Sequence, residues 1–189
     1  CVWMLLQPTS SMFMVAVMAI VSVAPAREFI HPGVFVSASQ LQYIREQIHA
    51  PTGNADVKAA YQKALRSEYS DTSYEPRGPP ASGVIECGSY SHPNHGCSDE
   101  NRDSATAYLQ ALLFALNGEA DRAAIAGKVL DLYSSKLTKY NNSNAPLQAA
   151  WSAMMYTKAA ELLAHTPKSG WGEAQQERLA RMLSSVSLP

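Results

Sequence analysis

Four side chains that can bind a metal ion lie within eight residues of one another in this chain: His92, His95, Cys97 and Asp99. Imidazole, thiolate and carboxylate groups are the usual zinc ligands, but this spacing matches no established zinc pattern. Cys87 lies ten residues before Cys97, in a segment rich in Gly, Ser and Pro. If the protein is exported, a disulfide that restrains this segment explains the two cysteines better than zinc binding does. The sequence therefore predicts a Cys87–Cys97 disulfide, no metal site and no cofactor.

Arg102 and Asp103 follow this cluster, directly before a helical pattern. Asp103 is predicted to be an N-cap or first-turn acid, because the helix dipole favours a carboxylate there. Arg102 is predicted to be solvated. Trp151 and Trp171 fall beside apolar helical positions, which indicates packing in the core rather than contact with a sugar.

Apolar periodicity predicts the helices that position these residues. The predicted helices begin near Ser37 or Ser39, Ala55, Ser104, Glu119, Asn144 and Glu173. Gly118 is predicted to end the third in a left-handed cap, and the short link after it predicts an antiparallel hairpin. No segment predicts a strand. Between residues 70 and 101 the helical period vanishes, and so long an irregular segment is the first place to expect substrate contacts.

The beginning of the chain has the layout of a secretory signal peptide. An apolar run from Phe13 to Val23 is followed by Ala24-Pro25-Ala26, a small-x-small ending, although the preceding residues lack the usual Lys or Arg. This predicts a leader at 1–26, with the signal peptide at 12–26; the alternative is a retained buried helix. Asn141 begins an Asn-Asn-Ser sequon and is a predicted glycosylation site. The protein is predicted to be secreted and extracellular.

Composition narrows the range of partners. The 189 residues are 47% hydrophobic and 16% charged, which is typical of one globular domain with a modestly charged surface. The formal net charge is −1, so the chain is not predicted to bind nucleic acid or anionic membranes.

Several segments together resemble the alginate lyase family, the helical-toroid polysaccharide lyases related to chondroitin AC lyase. They are His31-Pro32-Gly33, Asp103-Ser104-Ala105, the Gly118 turn, and NAPLQAAWSAMMYTKAAELL from Asn144 to Leu163. Their order and spacing carry the resemblance, which runs from about His31 to the end and is strongest to secreted, fungal-looking members. It implies an all-α fold: residues 27–189 would form the N-terminal part of an α/α toroid built from antiparallel helix hairpins, with one long loop.

The resemblance also implies a function. Such lyases cleave a uronate-containing polysaccharide by β-elimination, so an acidic polysaccharide would be the partner. The protein would be a monomer and, after signal cleavage, would not be associated with a membrane. The long loop would then supply a wall of substrate-binding residues, Tyr74, His92, His95 and Arg102. The family's catalytic residues come mainly from later helices and have no counterpart here, so none is assigned and this fragment is expected to lack them.

Two other functions remain open. A non-catalytic helical carbohydrate-binding or scaffold protein could share the fold. An α/α-barrel glycoside hydrolase would require two placed carboxylates, and no obvious inward acidic pair occurs between Ala105 and Ser184.

Overall fold

Six α-helices dominate the computed structural model, which describes residues 29–188. In chain order they are α1 (Ala38–His49), α2 (Ala55–Leu65), α3 (Cys97–Asn117), α4 (Ala120–Lys136), α5 (Ala145–His165) and α6 (Glu173–Met182). A π-helical turn, Leu183–Ser187, follows α6. No helix among the described residues has both the length and the hydrophobicity needed to cross a bilayer. The predicted leader and its cleavage site lie outside these residues.

Local capping explains where several helices begin and end. Ser37 accepts a hydrogen bond from the Gln40 N–H while the Gln40 side chain accepts one from the Ser37 N–H, a reciprocal capping box. Pro146 lies in the first turn of α5, where its missing N–H leaves no bond unmade. Gly118 ends α3 with φ +75°, the left-handed conformation predicted for it. Most of the predicted helices are therefore confirmed.

The start of α3 was predicted wrongly. The helix begins at Cys97 instead of Ser104 and is 21 residues long. Its first turn is held by the Asn94 side chain, which accepts a hydrogen bond from the Ser98 N–H at 3.2 Å and donates one to the Ser98 hydroxyl at 2.7 Å. The extra turns carry polar side chains, so an apolar period could not show them.

The prediction of no strands was also wrong, and the fold is largely helical with a small sheet instead of purely α. The sheet contains β1 (Val84–Cys87), β2 (Asn94–His95) and β3 (Lys139–Asn141), in the order β2-β1-β3. Strand β2 is antiparallel to β1 and β3 is parallel to it. The segment predicted to be irregular is therefore tied to α3 on one side and to the connection before α5 on the other.

Helix α3 lies at the centre of the core, packed against both α4 and α5. Ala107 and Ala111 are fully buried in it, and small side chains allow neighbouring helices to approach closely. The predicted Cys87–Cys97 disulfide is present and links the end of β1 to the first residue of α3. The helices and the sheet thus share one continuous core.

The two tryptophans have different environments. Trp171 is buried, as predicted, and packs in the core. Trp151 is 55% exposed, so its predicted core position is wrong. In the N-terminal half of α5 the buried face carries Gln148 and Ser152, because a polar cluster on α3 occupies the facing surface. Leu147 and Trp151 consequently point to solvent.

Candidate functional site

A recess of about 100 Å³ opens between the β1–β2 hairpin and the N-terminal halves of α3 and α5. Amide and hydroxyl side chains line much of it, with one tryptophan. These side chains are Ser91, Asn94, Ser98, Asn101, Asn144, Gln148 and Trp151. We call this feature the amide recess.

Local hydrogen bonds hold the walls of the amide recess in place. The Asn144 N–H donates to the Cys87 carbonyl at 2.8 Å, and the Asn144 amide donates to the Gly88 carbonyl at 3.1 Å. The disulfide joins the same end of β1 to α3. Three separate chain segments are therefore fixed around one opening, which is the preorganisation that a binding site requires.

Gln148 connects the floor of the recess to the protein interior. It is almost fully buried, and its Nε2 lies 3.0 Å from Asn101 Oδ1 and 2.7 Å from Glu100 Oε2. One side chain therefore contacts both a residue lining the recess and a carboxyl group beneath it.

Glu100 is the centre of a buried polar cluster below the recess. It is 0% exposed, and its Oε1 accepts hydrogen bonds from the hydroxyls of Tyr140 at 2.6 Å and Tyr156 at 3.2 Å. Burial raises the pKa of Glu100 to about 7, against the lowering effect of these hydrogen bonds and that from Gln148. Burial and the nearby Glu100 carboxyl also raise the pKa values of both tyrosines, which therefore remain protonated donors at neutral pH.

Asp103, one turn further along α3, is also 0% exposed, and the prediction of a capping acid was wrong. Its carboxylate accepts hydrogen bonds from the Gly78 N–H at 2.8 Å, the Arg77 N–H at 3.1 Å and the Tyr133 hydroxyl at 2.9 Å. The Tyr74 hydroxyl donates a further bond. Asp103 therefore anchors an irregular segment to α3 and α4. Sequence reasoning missed its inward position because α3 was predicted to begin after it.

The four predicted substrate-binding residues form two groups, and none lines the amide recess. Tyr74 is half-buried against Asp103, and Arg102 forms an ion pair with Glu68 at 2.8 Å. His92 and His95 are exposed in the β1–β2 hairpin. Contact between these side chains and a polysaccharide remains a prediction.

Asn141, the predicted glycosylation site, is exposed at the end of β3. Its amide donates a hydrogen bond to Glu86 Oε1 at 3.1 Å. The side chain is thus accessible at the surface, and its glycosylation remains a prediction.

A larger groove of about 600 Å³ runs beside α4 and α6. Asp131, the one acidic residue lining it among the described residues, already accepts hydrogen bonds from Trp171 Nε1 at 3.3 Å, Gln175 Nε2 at 2.7 Å and an Arg178 guanidinium nitrogen at 3.0 Å. These contacts attach α6 to α4. The groove is therefore a less convincing binding site than the amide recess.

The chemistry available in the amide recess is binding rather than proton transfer. Amides both donate and accept hydrogen bonds, and an exposed indole offers an apolar face. Among the described residues that line the recess, none has an ionisable side chain, since both cysteines are in the disulfide.

Comparisons of this chain with protein-family models, with curated proteins and with solved structures find no match. The resemblance to alginate lyases therefore rests on the residues quoted for it.

Proposed function

We propose that this chain takes part in the breakdown of a uronate-containing, alginate-like polysaccharide by β-elimination, and that the amide recess binds one sugar unit of the polymer. The observation that carries the proposal is the grouping of amide and hydroxyl side chains around an opening with an exposed tryptophan beside it. Sugar hydroxyls match such donors and acceptors, while the apolar face of a pyranose ring matches an indole.

The chemistry of β-elimination shows which groups a binding recess can supply. A base removes the proton from C5 of the uronate, and the electron pair forms a C4–C5 double bond as the C4–oxygen bond breaks. Amide donors directed at the uronate carboxylate stabilise the negative charge that develops there. Asn101, on α3, lines the recess and could contribute such a donor; the Asn144 amide lines it as well but already donates one hydrogen bond to the Gly88 carbonyl. The base and the acid must come from outside the recess lining, since that lining has no ionisable group.

Secretion belongs to the same proposal. A disulfide is expected in an oxidising compartment, so the link between Cys87 and Cys97 is compatible with the proposed export.

A non-catalytic carbohydrate-binding protein is the second candidate. The absence of an ionisable side chain among the described residues that line the recess favours it. A glycoside hydrolase has less support: Glu100 and Asp103 form an inward acidic pair, but both are fully buried and neither lines the recess. They cannot reach a glycosidic oxygen from that position.

Replacing Trp151 with alanine should weaken binding of uronate oligosaccharides by about fivefold, because loss of a stacked aromatic face costs roughly 1 kcal/mol. Calorimetric titration with alginate tetramers measures the change in affinity. A neutral cello-oligosaccharide tests whether the chain binds uronates more tightly than neutral sugars. Leu147→Ala is the matched control, since Leu147 is exposed on the same helix but does not line the recess.

Equal weakening by both substitutions, or no binding by the wild-type chain, would contradict the proposed sugar site. The same samples, followed by near-ultraviolet absorbance, also test for elimination. Unsaturated uronate ends would favour the lyase over the non-catalytic protein, whereas binding without them fits both candidates, because no base or acid is assigned in this chain.

A further inference from the structure

A second cluster lies away from the amide recess, where the first described residues meet the C-terminal end of α5. It contains His31, Glu161 and His165. The ligating atoms of these three side chains all lie within 4.8 Å of one another. His31 comes from a segment 130 residues away from Glu161, so only the tertiary structure assembles the group.

Each member of the cluster is oriented by a definite contact. Glu161 Oε1 lies 2.7 Å from His31 Nδ1 and accepts a hydrogen bond from the Gly33 N–H at 2.8 Å. His165 lies one turn beyond Glu161 on the same helix face, with Nε2 at 3.7 Å from Glu161 Oε2. The two imidazole rings are stacked, with centroids 4.2 Å apart.

The electrostatics suit a cation. Glu161 supplies a carboxylate beside the two imidazoles. Its side chain is only 12% exposed, whereas both histidines are partly open to solvent, so an ion can enter.

We propose that His31, Glu161 and His165 bind one divalent transition-metal ion, with Zn²⁺ as the first choice and solvent completing the coordination. Two imidazoles and one carboxylate form an established ligand set for zinc, at metal–ligand distances of about 2.0–2.2 Å. Ligand atoms around a tetrahedral ion are then roughly 3.3 Å apart. The two nearly parallel rings must turn out of their stacked arrangement to direct both nitrogens at one ion, which the partial exposure of both histidines permits.

The bound ion would act as a clip that holds residues 31–33 against α5. A plain ion pair between His31 and Glu161 does not need His165, whereas a metal site does. This site is independent of the proposed sugar site. It also departs from the sequence-based prediction of no metal, which considered the cluster from His92 to Asp99.

Zn²⁺ titrated into tag-free, chelator-treated protein should bind one ion per chain with a Kd below about 10 µM. His165→Ala should weaken this binding by about tenfold or more, since it removes a ligand. His95→Ala is the matched control, because His95 is an exposed histidine outside the cluster, and it should leave the affinity unchanged. Zn²⁺ should also raise the Tm of the wild-type protein but not of His165→Ala.

Cobalt provides a measurement that does not depend on stability. Co²⁺ in the wild-type site should give intense visible absorption typical of four-coordination, and Glu161→Gln should abolish it while far-UV circular dichroism confirms the fold. A zinc Kd above about 10 µM would overturn the proposal. So would equal affinity in the wild type and His165→Ala, or loss of binding in His95→Ala.

Discussion

Replacing Asp103 with alanine should lower the free energy of unfolding by about 3–5 kcal/mol, because it leaves several buried donors without an acceptor. The Arg77 and Gly78 N–H groups and the Tyr133 hydroxyl all donate to this carboxylate. The backbone N–H groups cannot rotate toward another partner. Urea unfolding at pH 7 measures the loss.

Two further substitutions make this test specific. Asp103→Asn should cost less, about 1–2 kcal/mol, because its oxygen can keep the bonds at one carboxylate position while the rotatable Tyr74 hydroxyl adjusts to the new N–H donor. Asp99→Ala, in the first turn of the same helix, removes an exposed ion pair with Arg77 and should cost less than about 1 kcal/mol. A loss for Asp103→Ala no larger than that for Asp99→Ala would show that the carboxylate is not the anchor described here.

The stability of the wild-type protein should include a component from Glu100 that decreases as pH rises. Burial raises the pKa of this carboxyl from 4.5 to about 7, so the native state holds a proton that the unfolded state has already released between those values. Stability from Glu100 is therefore fully present below about pH 4.5 and is lost as pH rises through about 7. The change is on the order of 3 kcal/mol.

Glu100→Gln should remove this component, because the amide does not titrate and can still accept from the hydroxyls of Tyr140 and Tyr156. The measurement is the difference in unfolding free energy between the wild type and the variant from pH 4 to pH 8, in which titrations elsewhere cancel. Glu68→Gln is the control, since it makes the same chemical change at a glutamate that is exposed in an ion pair with Arg102. Parallel wild-type and Glu100→Gln profiles would contradict the raised pKa.

Features that depend on neighbours in sequence were predictable. The capping box at Ser37, the proline in the first turn of α5 and the left-handed Gly118 are each produced by a few consecutive residues. The Cys87–Cys97 disulfide also follows from two cysteines in one short segment. Strands β1–β3 could not be predicted in this way, because the longest has four residues and too little alternation to distinguish it from a loop.

The candidate sites depended on which face of each helix meets a neighbour. Periodicity shows that Trp151 and Leu147 share a face of α5, but α3 decides that the opposite, more polar face is buried. Likewise, Glu100 is stable inside only because Tyr140, Gln148 and Tyr156 approach it from other elements. A buried polar group must find its hydrogen-bond partners, and here those partners come from 40 to 56 residues away.

The sequence by itself therefore determined the mainly helical class, most helix positions and the disulfide, since each depends on local conformational preference or short-range spacing. Only the tertiary structure decided that Asp103 is an internal anchor, that amides from three segments surround one recess, and that His31 reaches Glu161. These arrangements require contacts between distant parts of the chain, which periodicity in one segment does not specify.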